Sequence, residues 1–91
     1  METLRAVVKG IEMIRVLFFG PVAERIGANS IQVEYRQGML LQELRDELAA
    51  FHSRAFEIVS LVALNGEHVR DMALPLADNS EVVFMSKFSG G

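Results

Sequence analysis

The stretch SIQVEYRQGMLLQELRDELAAFH, residues 30–52, changes its periodicity partway along, and that change decides the fold class. Between Ser30 and Tyr35 the apolar Ile31, Val33 and Tyr35 alternate with Gln32, Glu34 and Arg36. A period of two buries one face of a β-strand and leaves the other wet. Beyond Gly38 the apolar positions become Leu41, Leu44, Leu48 and Phe51, at i, i+3, i+7 and i+10, while Gln42, Glu43, Arg45, Asp46 and Glu47 fill the other face. That spacing predicts an amphipathic helix over residues 40–52, lying across a sheet with its apolar stripe inward. Gly38-Met39 supplies no Ser, Thr or Asp cap, so the helix is better marked by its stripe than by its first residue.

Toward the N-terminus, residues 14–19 are dense in β-branched and aromatic side chains and stop at Gly20-Pro21, which reads as a strand ending in a turn. Pro21 suits the start of a short helix through Ala23, Glu24, Arg25 and Ile26, with Gly27 as its left-handed stop. Toward the C-terminus, residues 58–64 read as an apolar strand. Asn65-Gly66 then predicts a type I′ hairpin, whose two central residues both need positive φ, with residues 67–70 as the return strand. Pro75 keeps the apolar link Leu74-Pro75-Leu76 out of any central strand. Asp78-Asn79-Ser80 reads as a turn and residues 81–85 as the last strand. This order predicts an α+β domain in which one main helix covers one face of a mixed sheet.

A chain of 91 residues has room for one core, placed here over residues 13–85. With 51% apolar residues it is too hydrophobic to stay disordered. Nine Lys and Arg are scattered among twelve Asp and Glu, so no clustered basic surface is available for nucleic acid. No window approaches the roughly eighteen apolar residues of a membrane span. The short run Ala6-Val7-Val8, broken by Lys9 and Gly10, is too brief for a signal peptide, which makes the cytoplasm the expected location. Residues 1–12 read as an extension or leader. Residues 86–91, with Lys87, two serines and Gly90-Gly91, cannot build a packed element and read as a flexible tail.

Conventional catalytic groupings are lacking. There is no cysteine, hence no disulfide, thiolate metal site or cysteine nucleophile. His52 and His68 do not fall at a spacing typical of metal-ligand pairs, and no glycine-rich phosphate loop is present, so neither a metal nor a stably bound cofactor is expected. What remains is the C-terminus. Gly91 carries the free α-carboxylate, and a Gly-Gly end can enter a channel too narrow for any Cβ. Gly91 is therefore the candidate reacting residue and Gly90 the residue that admits it, against the plainer reading of a frayed linker.

Strand parity adds a second candidate. If Arg15 and Glu81 face water, Ile14, Val16, Phe18, Val82 and Phe84 point into the core, and Leu17, Phe19, Val83 and Met85 point away from it. Four large apolar side chains on an outer face mark a contact surface for a partner, unless residues 1–12 cover them or a bulge disturbs the parity. Lys87, Phe88 and Ser89, on the way to the terminus, are placed with them as partner contacts.

Together, Ile14-Arg15-Val16-Leu17-Phe18-Phe19-Gly20, the helix of Leu41, Leu44 and Leu48, Val62-Ala63-Leu64-Asn65-Gly66, the segment from Pro75 to Val82 and the terminal Gly90-Gly91 resemble the MoaD/ThiS sulfur-carrier family over residues 13–91. Within that family the chain is most similar to the small subunit of molybdopterin synthase, through Phe18-Phe19 and the ending Phe88-Ser89-Gly90-Gly91. The resemblance implies a ubiquitin-like β-grasp fold with the first and last strands parallel at the sheet centre. It implies that an ATP-dependent, ubiquitin-activating-type enzyme adenylates Gly91 and that persulfide sulfur converts it to a thiocarboxylate. It further implies that the tail enters the large subunit of molybdopterin synthase and gives its sulfur to the pterin precursor, the chain being no catalyst alone. A ThiS-like carrier for the thiamine thiazole, a carrier for another pathway, an isopeptide-forming modifier and a docking module without carrier chemistry stay open as alternatives. Ser86-Lys87 stands where many members carry two prolines, Phe88 where a smaller aliphatic is usual, and Asn79 where glycine is common.

Overall fold

In the computed structural model, which describes residues 12–87, the alternating segments of the sequence become strands and the Leu41 stripe becomes the main helix. In chain order the elements are β1 (Met13–Phe18), α1 (Gly20–Ile26), β2 (Ser30–Glu34), α2 (Leu41–Phe51), α3 (Ser53–Phe56), β3 (Leu61–Leu64), β4 (Glu67–Val69) and β5 (Glu81–Met85). The five strands form one sheet in the order β2-β1-β5-β3-β4. β1 and β5 run parallel, with Val16 beside Val82 and Phe18 beside Phe84, while the other pairings are antiparallel. This is the ubiquitin-like β-grasp arrangement, with the first and last strands next to each other in the middle. Of the readings of residues 1–12 as an extension and of residues 86–91 as a flexible tail, the parts over residues 1–11 and 88–91 lie outside the described residues.

The core fills the space between one sheet face and the helices. Ile14, Val16, Phe18, Val82 and Phe84 are at most 1% exposed, and Leu41, Leu44 and Leu48 are buried against them. The ring of Phe56 meets that of Phe84 edge to face at 5.0 Å, and Phe18 stacks with Phe84 at 6.3 Å. Burying such side chains supplies most of the driving force for the fold.

Phe51 departs from expectation. Its spacing assigned it to the buried stripe, but it is 85% exposed. It is the last residue of α2, and the chain turns straight into α3, whose Phe56 reaches Phe84 and fills the core there. The short α3 was not expected. It ends at Phe56, and the turn and bend that follow it take up residues 57–60, so β3 begins only at Leu61 and not at the expected Ile58, with Ile58 and Val59 packed against the core ahead of it.

The missing cap of α2 is also resolved. The backbone N–H of Leu40 donates to Glu43 Oε1 at 2.8 Å, and the otherwise unpaired N–H groups of Leu41 and Gln42 donate to the carbonyls of Leu74 and Met72. The helix start is thus satisfied largely by a segment thirty residues away in sequence, the apolar link around Pro75. Leu76 N–H donates back to Met39. Arg36, two residues past β2, ties to Glu47 of α2, and that hydrogen bond raises the guanidinium pKa above its ordinary value.

The local signals at turns hold. Gly27 stops α1 with φ 86°. Asn65 and Gly66 both have positive φ, at 51° and 88°, and Asn79 adopts φ 69° in the turn before β5. Asn65 has a further task, since its Oδ1 accepts from Glu81 N–H and its own N–H donates to Glu81 O, so the hairpin turn anchors the start of β5.

Candidate functional site

The sheet face away from α2 is built by the odd members of the same central strands. Leu17 is the register partner of Val83, and Val83 of Ala63; one step on, Met85 pairs with Leu61. Phe19 follows β1 with extended backbone, φ −128° and ψ 151°, before α1 begins. These residues form a continuous apolar stripe across β1, β5 and β3. At one end Arg15 Nη2 and Glu81 Oε2 lie 3.3 Å apart and close it with charge.

The predicted contact residues do not contribute equally. Phe19 is 49% exposed, and Leu17 and Met85 are half-buried. Val83, expected to point outward as a contact residue, is only 8% exposed. It lies on the outer face, but β5 is flanked by strands on both sides, and Leu17 and Ala63 beside it leave little of so short a side chain uncovered. Parity alone could not reveal this.

The root of the C-terminal tail is fixed in place by a residue that sequence reasoning passed over. Ser60 N–H donates to Met85 O at 3.0 Å, and Ser60 Oγ accepts from Lys87 N–H at 2.7 Å. Ser86, read from sequence as the first residue of the flexible tail, is 4% exposed and belongs to the folded body. Lys87 is exposed. Phe88, Ser89, Gly90 and Gly91 lie outside the described residues. Leu61 and Ala63 were also missed as members of the outer face. Alternation around the buried Val62 would have found both, had the strand been started at the right residue.

Among the described residues, no group of His, Asp and Glu side chains gathers in a way that could hold a metal ion, and no helix is long and apolar enough to cross a membrane. His68 is exposed on β4 opposite Ala63, and His52 sits between α2 and α3. The distinctive features are an apolar outer face and, at one end of it, a tethered strand end leading toward Gly90-Gly91.

A model of the ThiS family matches residues 16–91, from the middle of β1 to the last glycine. The chain belongs to the ThiS family. Solved structures agree on the fold of this ThiS-family chain. SAMP1 of Haloferax volcanii is 20% identical, with a TM-score of 0.72 over 87% of this chain and 99% of that one. A Pyrococcus furiosus protein described as molybdopterin converting factor subunit 1 is 20% identical, with a TM-score of 0.73 over 82% of this chain and 97% of its own. The complex of subunits 1 and 2 of the molybdopterin-converting factor of Helicobacter pylori contains a chain 25% identical, with a TM-score of 0.65 over 87% of this chain and 99% of that one. No curated protein sequence matches. The ThiS-family chain thus has the ubiquitin-like fold shared by carriers and modifiers of the ThiS and MoaD type.

Proposed function

We propose that this protein is a sulfur carrier whose reactive group is the α-carboxylate of Gly91, and that it acts as the small subunit of a molybdopterin synthase in molybdenum cofactor biosynthesis. The observation that carries the reading is the family match, which runs through the terminal Gly90-Gly91. The chemistry follows from the carboxylate. Its negative charge repels nucleophiles and its leaving group would be oxide, so it needs activation. An adenylating partner supplies it by joining Gly91 to AMP from ATP with release of pyrophosphate. Persulfide sulfur then attacks the acyl carbon, AMP leaves, and thiol cleavage of the S–S bond leaves a thiocarboxylate, a soft nucleophile for the pterin precursor.

Each part of the site has a role in this reading. Gly90 lets the terminus pass through a narrow channel, because it has no Cβ to clash. Phe19, Leu17 and Met85, with Val83 beneath them, offer the apolar face on which the large subunit docks, and Lys87, Phe88 and Ser89 follow the tail into it. The Helicobacter pylori complex supports such a partner, since there subunit 1 is found with subunit 2.

The test is the intact mass of the protein after incubation with an adenylating enzyme, ATP and a sulfur donor. One oxygen should be exchanged for one sulfur, and deletion of Gly91 or addition of a single alanine after it should abolish the exchange while leaving the thermal melt unchanged. Transfer to purified molybdopterin synthase large subunit supports the assigned pathway; transfer to a thiazole synthase instead assigns the carrier to thiamine.

A further inference from the structure

Arg15, Arg25 and Arg36 are each paired with a carboxylate, on Glu81, Glu57 and Glu47 respectively. Among the described residues Arg45, Arg54 and Arg70 have no such partner, and two of these three line the same pocket. Its volume is about 370 Å³, and its walls are Arg45 of α2, Val59 and Ser60 ahead of β3, Val62 of β3, Val69 of β4, Arg70 and Met72. Val62 and Val69 are register partners, so the pocket has an apolar floor at the edge of the helix-covered side, away from the outer apolar stripe. Because Arg45 and Arg70 both line it and neither is paired with a carboxylate, an anion entering the pocket meets two positive side chains. In a chain of net charge −3, two arginines without a carboxylate partner thus line one cavity.

Position gives the pocket its meaning. Ser60, part of its wall, is the residue whose Oγ accepts from Lys87 N–H at the root of the tail. The pocket therefore adjoins the point where the tail leaves the folded body. We infer that the Arg45–Arg70 pocket docks an acidic segment of the adenylating enzyme that takes up the tail to activate Gly91, a carboxylate reaching the two guanidinium groups and a neighbouring apolar side chain covering Val59, Val62, Val69 and Met72. An inorganic anion would satisfy the charges and leave the apolar floor wet; a peptide of this chemistry meets both. The inference rests on the carrier reading only for the identity of the protein that takes the tail.

The experiment has two arms. In the first, the full chain carrying Arg45→Glu and Arg70→Glu is compared with wild type as substrate of the adenylating enzyme. The double variant should melt as wild type does, lose about tenfold or more in kcat/KM chiefly through KM, and lose most of the salt dependence of that constant. Arg54→Glu, which reverses an unpaired arginine elsewhere, should change little, and Arg45→Lys with Arg70→Lys should retain most of the rate. Wild-type kinetics and salt dependence in the Glu variant overturn the inference. The second arm needs no activation chemistry: the peptide acetyl-Leu-Asp-Glu-Leu-amide is titrated into the labelled full chain. It should shift the methyl signals of Val59, Val62, Val69 and Met72 in wild type and leave them unmoved in the Glu variant. Absence of shifts in wild type, or equal shifts from sodium phosphate alone, overturns the inference even where Gly91 gains sulfur. Shifts without any sulfur gain uphold the pocket while the carrier reading fails.

Discussion

The two faces of the sheet are made by alternate residues of the same strands, yet they do different work. On the inner face, Val16 and Phe18 of β1 and Val82 and Phe84 of β5 are sealed beneath α2 and α3. On the outer face, Leu17, Phe19 and Met85 are as hydrophobic but remain partly exposed. A residue one step along a strand moves from the sealed core to an outer face that, in the proposed reading, meets a partner. Hydrophobicity therefore reports function here only after parity has been assigned.

Substitutions on either side should separate these roles. Phe84→Ala removes the ring that meets both Phe18 and Phe56, and should cost about 3–5 kcal/mol of stability in a denaturant titration. A loss below about 1 kcal/mol, the level of an ordinary surface change, would erase the contrast between the faces. Phe19→Ala should do the reverse, weakening affinity for the partner that receives the tail by about 2 kcal/mol in calorimetry while shifting stability by less than about 0.5 kcal/mol. Were it to destabilise the fold as Phe84→Ala does, the outer face would be part of the core.

The comparison can be sharpened at the ends of the strands. Asn65→Ala loses the side-chain bond to Glu81 N–H and places alanine at φ 51°, so it should cost about 1–2 kcal/mol in a thermal melt with no effect on partner affinity. Arg15→Ala breaks a pair whose side chains are 59% and 32% exposed, and should change stability by at most about 0.5 kcal/mol, less still at high salt. A larger loss would mean that charge, and not only apolar contact, organises the outer face.

Where the structure rests on local chemistry, the sequence could be read directly. The alternation of β1, β2 and β5, the stripe of α2, the stop at Gly27 and the turn at Asn65-Gly66 all follow from the residues that form them. What was hidden depends on distant partners. The start of α2 is satisfied by the carbonyls of Leu74 and Met72, which no motif near Gly38 could announce. Phe51 fitted the stripe, but Phe56 reaches the core in its place because the chain turns into α3. Ile58, Val59 and the β3 residues form a stretch that is apolar except for Ser60, with no period to show that the strand starts only at Leu61. The site divides in the same way. Gly90-Gly91 as a candidate and the outer-face residues of β1 and β5 could be named from sequence, whereas the outward place of Leu61 and Ala63, the covering of Val83 and the hold of Ser60 on Lys87 depend on strand neighbours and register.

The most direct test of the account is tandem mass spectrometry of the C-terminal peptide after incubation with adenylating enzyme, ATP and sulfur donor. The account predicts one sulfur in place of one carboxylate oxygen, located on Gly91 and lost again when the acceptor protein and its substrate are added. A C-terminal peptide that keeps its carboxylate under those conditions, or that is recovered joined to a lysine amine, would contradict it.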